Sequence, residues 1–330
     1  RSYPLVKKFA DYFFTTDYLK YGGTYYNEEL KLLLNPNLEH TRVDAKEGLF
    51  TSVGGTGMWE AYDLLTNVFA SQALYMLSEY AKSQDEDPEY YQLCLQRAEN
   101  IKEGINENLT VVFDNKKIYA ELISANRYHN KDDDYLLEGL SYINYAPIGA
   151  NWYGIDDDIM KNTISKYQEY AYVEFTCNPE NPCYDATKKY YLPSQVFYIN
   201  NSYYDTGVVS GTTVGKLSGT HVSGRLISWI IMACERYGDY TQMANLFLYI
   251  GKHSYKGYYP ETWQPNDAMS DMANQIMASW MVYAVSETFF ASDTVSVVFV
   301  SNDATGTPPF TKQLIINSKF IIPESSIGKS

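Results

Sequence analysis

Residues 61–83 read AYDLLTNVFASQALYMLSEYAKS, and this stretch decides the fold. Leu65, Val68, Phe69, Ala73, Met76, Leu77 and Tyr80 recur at steps of three and four, the period of an α-helix with one apolar face. A polar turn, Gln84 to Pro88, follows, and Pro88 is well placed in the first turn of a second helix reaching about Asn106. Two long helices joined by so short a turn must lie side by side. Working outward, the same period predicts helices over 3–20, 26–35, 132–143, 156–170, 220–237, 239–252 and 267–291. Three pairs read as helical hairpins: 61–83 with 88–106, 132–143 with 156–170, and 220–237 with 239–252. Segments 226–234 and 269–289 are apolar nearly all round, so neighbours must cover every side of them. Hairpins set as an inner and an outer ring meet that need.

Residues 171–219, rich in Tyr, Thr, Gly and Asn, read as a long excursion without helix. Its end, TGVVSGTTVGKLSGTHVSG, approaches a phosphate-binding loop but has Ser210 for the first Gly and Leu217 for the Ser/Thr after Lys216, so nucleotide binding is rejected. A mobile loop over a pocket remains open. After Ser292 the pattern turns to strands, near 294–300 and 313–322. The expected organisation is thus a mainly α body over 1–291 and a short strand-rich tail over 292–330. The tail should pair with its own chain or with a neighbouring copy, because an open edge strand invites association.

Charge narrows the partners. The chain of 330 residues carries 26 Lys+Arg against 40 Asp+Glu, a formal net charge of −14. Such a surface repels phosphate backbones and anionic headgroups, which argues against nucleic acid and membrane. The longest apolar run, 226–234, is far too short to cross a bilayer. Aromatics go the other way, with 33 Tyr, 14 Phe and 5 Trp. Rings beside carboxylates suit a neutral polyhydroxylated ligand, a carbohydrate, whose C–H faces stack while its hydroxyls meet acids.

The sequence starts at Arg1, as a processed form or a fragment would. Two sequons, at Asn108 and Asn200, are candidate glycosylation sites. Cys177 and Cys183 bracket CNPENPC, whose prolines favour a tight turn, and a disulfide is expected there. Cys94 and Cys234 fall within helical patterns and read as buried thiols that could also pair. Together these point to a secreted, extracellular protein. The histidines His40, His129, His221 and His253 show no ligand spacing, so neither a metal nor another cofactor is expected.

Three segments set aromatics beside acids where helices are expected to begin: GGTGMWEAYD (54–63), NWYGIDDD (151–158) and GYYPETWQPNDAMSD (257–271). Asp156, Asp157 and Asp158 read as helix-start partners of the dipole. Glu60 and Glu261, each flanked by aromatics ahead of a buried helix, are the candidate catalytic pair, with raised pKa expected of a general acid. Trp59, Trp152, Tyr153, Arg225 and Trp263 are the candidate substrate contacts. Glu47 and Asp63 are rivals for the acid.

Trp59-Glu60-Ala61 followed by Ala73-Leu74, and Pro260-Glu261-Thr262 ahead of Gln275 and Trp280, resemble elements of the six-hairpin, (α/α)6-toroid glycosidases, glucoamylases among them. That family carries its acid in a Trp-Glu-Glu element and its base in Ala-Glu-Gln. Here Ala61 stands in place of the second Glu and Thr262 in place of Gln. The resemblance implies a toroid of helical hairpins and an inverting glycoside hydrolase, with Glu60 as acid and Glu261 as base across one sugar. The departures support a second reading: a catalytically inactive relative that binds carbohydrate or serves in assembly.

Overall fold

The computed structural model describes residues 3–40, 57–84, 87–131, 135–137, 139–176, 189–193, 196–198, 217–218, 222–253, 259–260, 262–263, 275–290, 315–316 and 320–321. The chain divides into two compact units, 1–171 with 195–219, and 172–194 with 220–330.

In the first unit α1 (Tyr3–Thr15) is followed by two short antiparallel strands, β1 (Tyr26–Asn27) and β2 (Leu32–Leu33). The helix expected over 26–35 does not form. Asn27 Oδ1 accepts the backbone N–H of Glu29 at 3.0 Å and of Leu30 at 2.9 Å, and Lys31 takes φ 55°. A carboxamide that satisfies local donors competes with the helical ladder, and here it wins.

Two strands, β3 (Asn35–His40) and β4 (Gly57–Asp63), lead into the hairpin of α2 (Leu64–Gln84) and α3 (Pro88–Asn108), as the sequence predicts. Asp87 caps α3, accepting from Tyr90 N–H at 3.2 Å, with Pro88 opening the helix. Its buried stripe is Tyr90, Cys94, Ala98, Ile101 and Ile105, each three or four residues from the last. Gly104 lets this stripe press on the turn before β2: a Cβ there would stand 2.5 Å from the Leu30 carbonyl oxygen and 2.6 Å from that of Lys31.

Next come the hairpin β5 (Thr110–Phe113) and β6 (Lys116–Tyr119), then β7 (Leu122–Ser124), α4 (Ala125–His129), β8 (Leu136–Leu137) and β9 (Gly139–Ser141). Asp114 and Asn115, at φ 52° and 61°, close the β5–β6 turn. The helix expected over 132–143 is therefore replaced by strands and a 3-10 turn at Tyr142–Tyr145. Ser141 and Asn144 cap that turn reciprocally, which ends helical pairing locally. The short α5 (Ala146–Gly149) precedes α6 (Asp157–Tyr170), capped by Asp156 through the N–H groups of Asp158 and Ile159, both at 3.0 Å. Asp156 is the cap, and Asp157 and Asp158 stand in the first turn, the helix-start positions expected of them. The order β3-β4-β7-β8 forms a four-stranded antiparallel sheet, and residues 196–198 pair with β9 and with 217–218.

The second unit holds the predicted hairpin of α7 (Gly224–Tyr237) and α8 (Tyr240–His253), turned at Gly238 with φ 77°. From Leu226 to Cys234 every residue of α7 is buried, matching its all-round apolar sequence. Trp229 meets Trp280 of α9 (Gln275–Val285) edge-on at 5.2 Å, and α9 runs into a π-helical turn, Ser286–Phe290. Residues 222–223 pair with 262–263, and 172–176 with 189–193. In the tail, Ile315–Ile316 and Phe320–Ile321 pair within the predicted strand 313–322, and 294–300 lies outside the described residues. The chain is mainly α-helical with short strands, the class its sequence predicts.

Candidate functional site

The strand β4 organises the site. Glu60 was expected on a loop entering a helix, yet it lies mid-strand, with Trp59 opposite Leu38 and Ala61 opposite both Asn35 and Ser124. Ala61, Tyr62 and Asp63 are buried, and the Glu60 side chain keeps 20% of its surface exposed. Onto it folds the loop YLKYGGT, residues 18–24. Gly22 and Gly23, at φ 77° and 78°, turn the chain back so that Tyr18 N–H meets the Gly23 carbonyl at 2.8 Å. Tyr18 then donates to Glu60 Oε1 at 2.7 Å, Tyr21 donates to Oε2 at 2.5 Å, and Lys20 Nζ pairs with Oε2.

Burial alone raises the Glu60 pKa, but Lys20, Tyr21 and Tyr18 together outweigh it and hold the carboxyl below its ordinary range. This corrects the expectation of a raised value. A carboxylate ionised at neutral pH has no proton to give a glycosidic oxygen, so Glu60 is unsuited to the acid role. Burial and the bond to Glu60 push the Tyr18 hydroxyl up to about 12, so it stays a donor.

Beyond Glu60 the network reaches α4. The Tyr21 ring stacks on His129 with centroids 4.2 Å apart and planes 10° from parallel. His129 Nε2 lies 2.9 Å from the Tyr62 hydroxyl, which also accepts from Asn27 Nδ2 at 3.2 Å. Since Asn27 Oδ1 already takes two backbone N–H groups, its amide orientation is fixed and Tyr62 directs its own hydrogen to Nε2. Burial lowers the His129 pKa, partly opposed by Glu29, in keeping with a neutral ring. Rings continue on both sides. Tyr18 meets Tyr25 at 5.0 Å, Tyr25 meets Tyr12 at 5.7 Å and Phe13 at 6.0 Å, and beyond His129 come Tyr128 at 5.2 Å and then Tyr135. The result is a row of half-buried and exposed rings, edged by hydroxyls, with an ionised carboxylate at its centre. The sequence reading passed over this loop. The Gly-Gly pair after Tyr-Leu-Lys-Tyr was the available turn signal.

The other candidates fall elsewhere. Trp152 is 1% exposed and donates its indole N–H to Ser71 Oγ at 3.0 Å, so it is core, not a sugar platform. Tyr153 stacks on Tyr75 at 4.2 Å and bonds Gln72 through its backbone N–H. Trp263 is fully buried between Tyr249 and Tyr259, at 5.7 and 5.2 Å. Trp152 belongs to the core of the first unit and Trp263 to that of the second. Arg225 is half-buried, with its guanidinium 5.9 Å from the Trp229 ring. Asp63 is fully buried and accepts the Thr66 N–H at 2.7 Å, the geometry of a helix cap for α2. Asn108 spends its Nδ2 on the Leu30 carbonyl at 3.0 Å, which opposes a glycan there. Cys94 and Cys234 are free and buried, so they do not pair. Glu47, Glu261, Cys177, Cys183, Asn200, His221 and the Trp59 side chain lie outside the described residues. Among the described residues no cluster of His, Cys, Asp or Glu could hold a metal ion, and no helix is long and apolar enough to cross a membrane.

No protein-family model matches the chain, and no curated protein matches it. Among solved structures, a bacterial glucoamylase complexed with acarbose is similar over 68% of this chain, with 16% identity and a TM-score of 0.46. The match covers 33% of that enzyme, so the chain spans about a third of its length.

Proposed function

We propose that this chain is a glycosidase-like carbohydrate-binding protein that holds a neutral oligosaccharide along the ring row centred on Glu60. One observation carries the reading: an ionised, partly exposed carboxylate braced by Tyr18, Tyr21 and Lys20 within a run of aromatic side chains. An ionised carboxylate has about four lone-pair sites, and these partners occupy three, leaving Oε1 able to accept a sugar hydroxyl. The net charge of −14 disfavours anionic glycans. Of the two functions the sequence allowed, binding without hydrolysis fits better, because Glu60 supplies no acid. Secretion belongs to the same proposal.

A panel of neutral oligosaccharides, assayed for binding by calorimetry and for reducing-sugar release, tests it. Binding without release, weakened about tenfold by Glu60→Gln, is expected. Steady release of reducing sugar would return the hydrolase reading.

A further inference from the structure

His129 ends α4 and stands half-buried behind the Glu60 network. Its ring lies flat against Tyr21, with centroids 4.2 Å apart, and Tyr21 donates to Glu60 Oε2. Around it stand Tyr21 and Lys20 of the 18–24 loop, Tyr62 of β4, Tyr128 of α4 and Glu29 of the turn between β1 and β2. Tyr128 meets the imidazole edge-on at 5.2 Å and binds Glu29 through its hydroxyl.

This surrounding suits a neutral ring. Nε2 then accepts the Tyr62 hydrogen at 2.9 Å, while Asn27 Nδ2 donates to the Tyr62 oxygen at 3.2 Å. A proton on Nε2 turns the acceptor into a donor. Two donors would point at one oxygen, and the Tyr62 hydrogen would lose its partner on a side chain only 3% exposed. Orphaning a buried donor is costly. Lys20 Nζ also lies 5.2 Å from the centre of the Tyr21 ring, so an imidazolium would press a second positive charge against that ring. Glu29 favours the charged imidazole, but burial outweighs it. We propose that His129 positions Tyr21 for the ligand only while neutral: on protonation its ring leaves the stack, Tyr21 releases Glu60, and oligosaccharide affinity falls. This rests on the carbohydrate reading and adds a regulation to it, binding that weakens in acid.

The test has two arms on the whole chain between pH 7.5 and 5.0, a window in which Glu60, its pKa held low, stays ionised. In the free chain, NMR should show the Tyr21 ring signals moving with the same midpoint as the His129 imidazole, below the ordinary value of about 6.5. By calorimetry, affinity for a neutral oligosaccharide should fall about tenfold across the window, the loss of one charge-assisted hydrogen bond. His129→Gln keeps an acceptor for Tyr62 and a flat face for Tyr21 but takes up no proton. It should bind within twofold at both pH values, which separates His129 from His40, His221 and His253. Should that variant fold poorly, Tyr62→Phe serves instead: it removes the donor that favours neutral Nε2, and should raise the His129 midpoint and the midpoint of the affinity loss together. Tyr21 signals that ignore the His129 titration, or an affinity loss as steep in His129→Gln as in the parent, would overturn the proposal. Constant parent affinity across the window would overturn it too and leave the carbohydrate reading standing. Binding of no oligosaccharide at either pH would remove the carbohydrate reading, and the regulation of binding with it.

Discussion

Glu60 and Asp63 lie three residues apart on β4 and titrate in opposite directions. Alternation along a strand sends them to opposite faces. Glu60 meets Lys20, Tyr21 and Tyr18, and its pKa falls; Asp63 is fully buried at the start of α2, and its pKa rises. One strand thus carries an outward carboxylate for the ring row and an inward one for a helix cap.

The opposite signs are separable by pH. The depressed Glu60 pKa gives stability that is present above the unfolded value of about 4.3 and lost as pH falls through the folded value. Glu60→Gln should lower the unfolding free energy read from urea titration at pH 7 by about 1 kcal/mol given its partial exposure, and the deficit should close as pH falls through the folded value. Asp63 contributes the reverse: its raised pKa favours the fold below about 3.9 and costs stability as pH rises through the folded value. Asp63→Asn keeps the cap and removes the buried charge, so it should gain on the parent between pH 3 and pH 7.

Trp152 is a core residue, and its loss should be felt in stability. Trp152→Ala should cost about 3–5 kcal/mol in denaturant unfolding. Trp152→Phe keeps most of the ring volume and should leave oligosaccharide affinity within twofold. A large affinity loss in a stable Trp152→Phe variant would place this ring at the ligand.

Gly104→Ala tests the close approach of α3 to the turn at Leu30 and Lys31. Both obstacles are backbone carbonyls, which cannot swing aside. A loss of at least about 1–3 kcal/mol is expected, although alanine is the better helix former.

The thiols offer a chemical check. Burial pushes both the Cys94 and the Cys234 thiol up, away from the reactive thiolate. Neither should react with a disulfide reagent in the native chain, and both should react in denaturant. Rapid native labelling at either position, mapped by mass spectrometry, would contradict their burial.

The long helices were legible because one face of each repeats at helical spacing, as in the stripe from Tyr90 to Ile105. The segments 26–35 and 132–143 misled because their apolar spacing is helical while Asn27, Ser141 and Asn144 bind local backbone donors instead. Glu60 was picked out by its aromatic neighbours, but its partners come from residues 18–21, some forty positions earlier, and no local pattern encodes that approach. Trp152 and Trp263 look alike in sequence to ligand-facing rings, since an aromatic near an acid suits a core as readily as a site. Burial alone tells them apart.

The most direct measurement is a titration of the chain with neutral oligosaccharides followed by NMR of its imidazole and tyrosine ring signals. The account predicts saturable shifts at His129, Tyr18 and Tyr21, abolished together in Tyr21→Ala while the fold is retained. Saturable binding that leaves those three rings unmoved, or no binding across the panel, would contradict it.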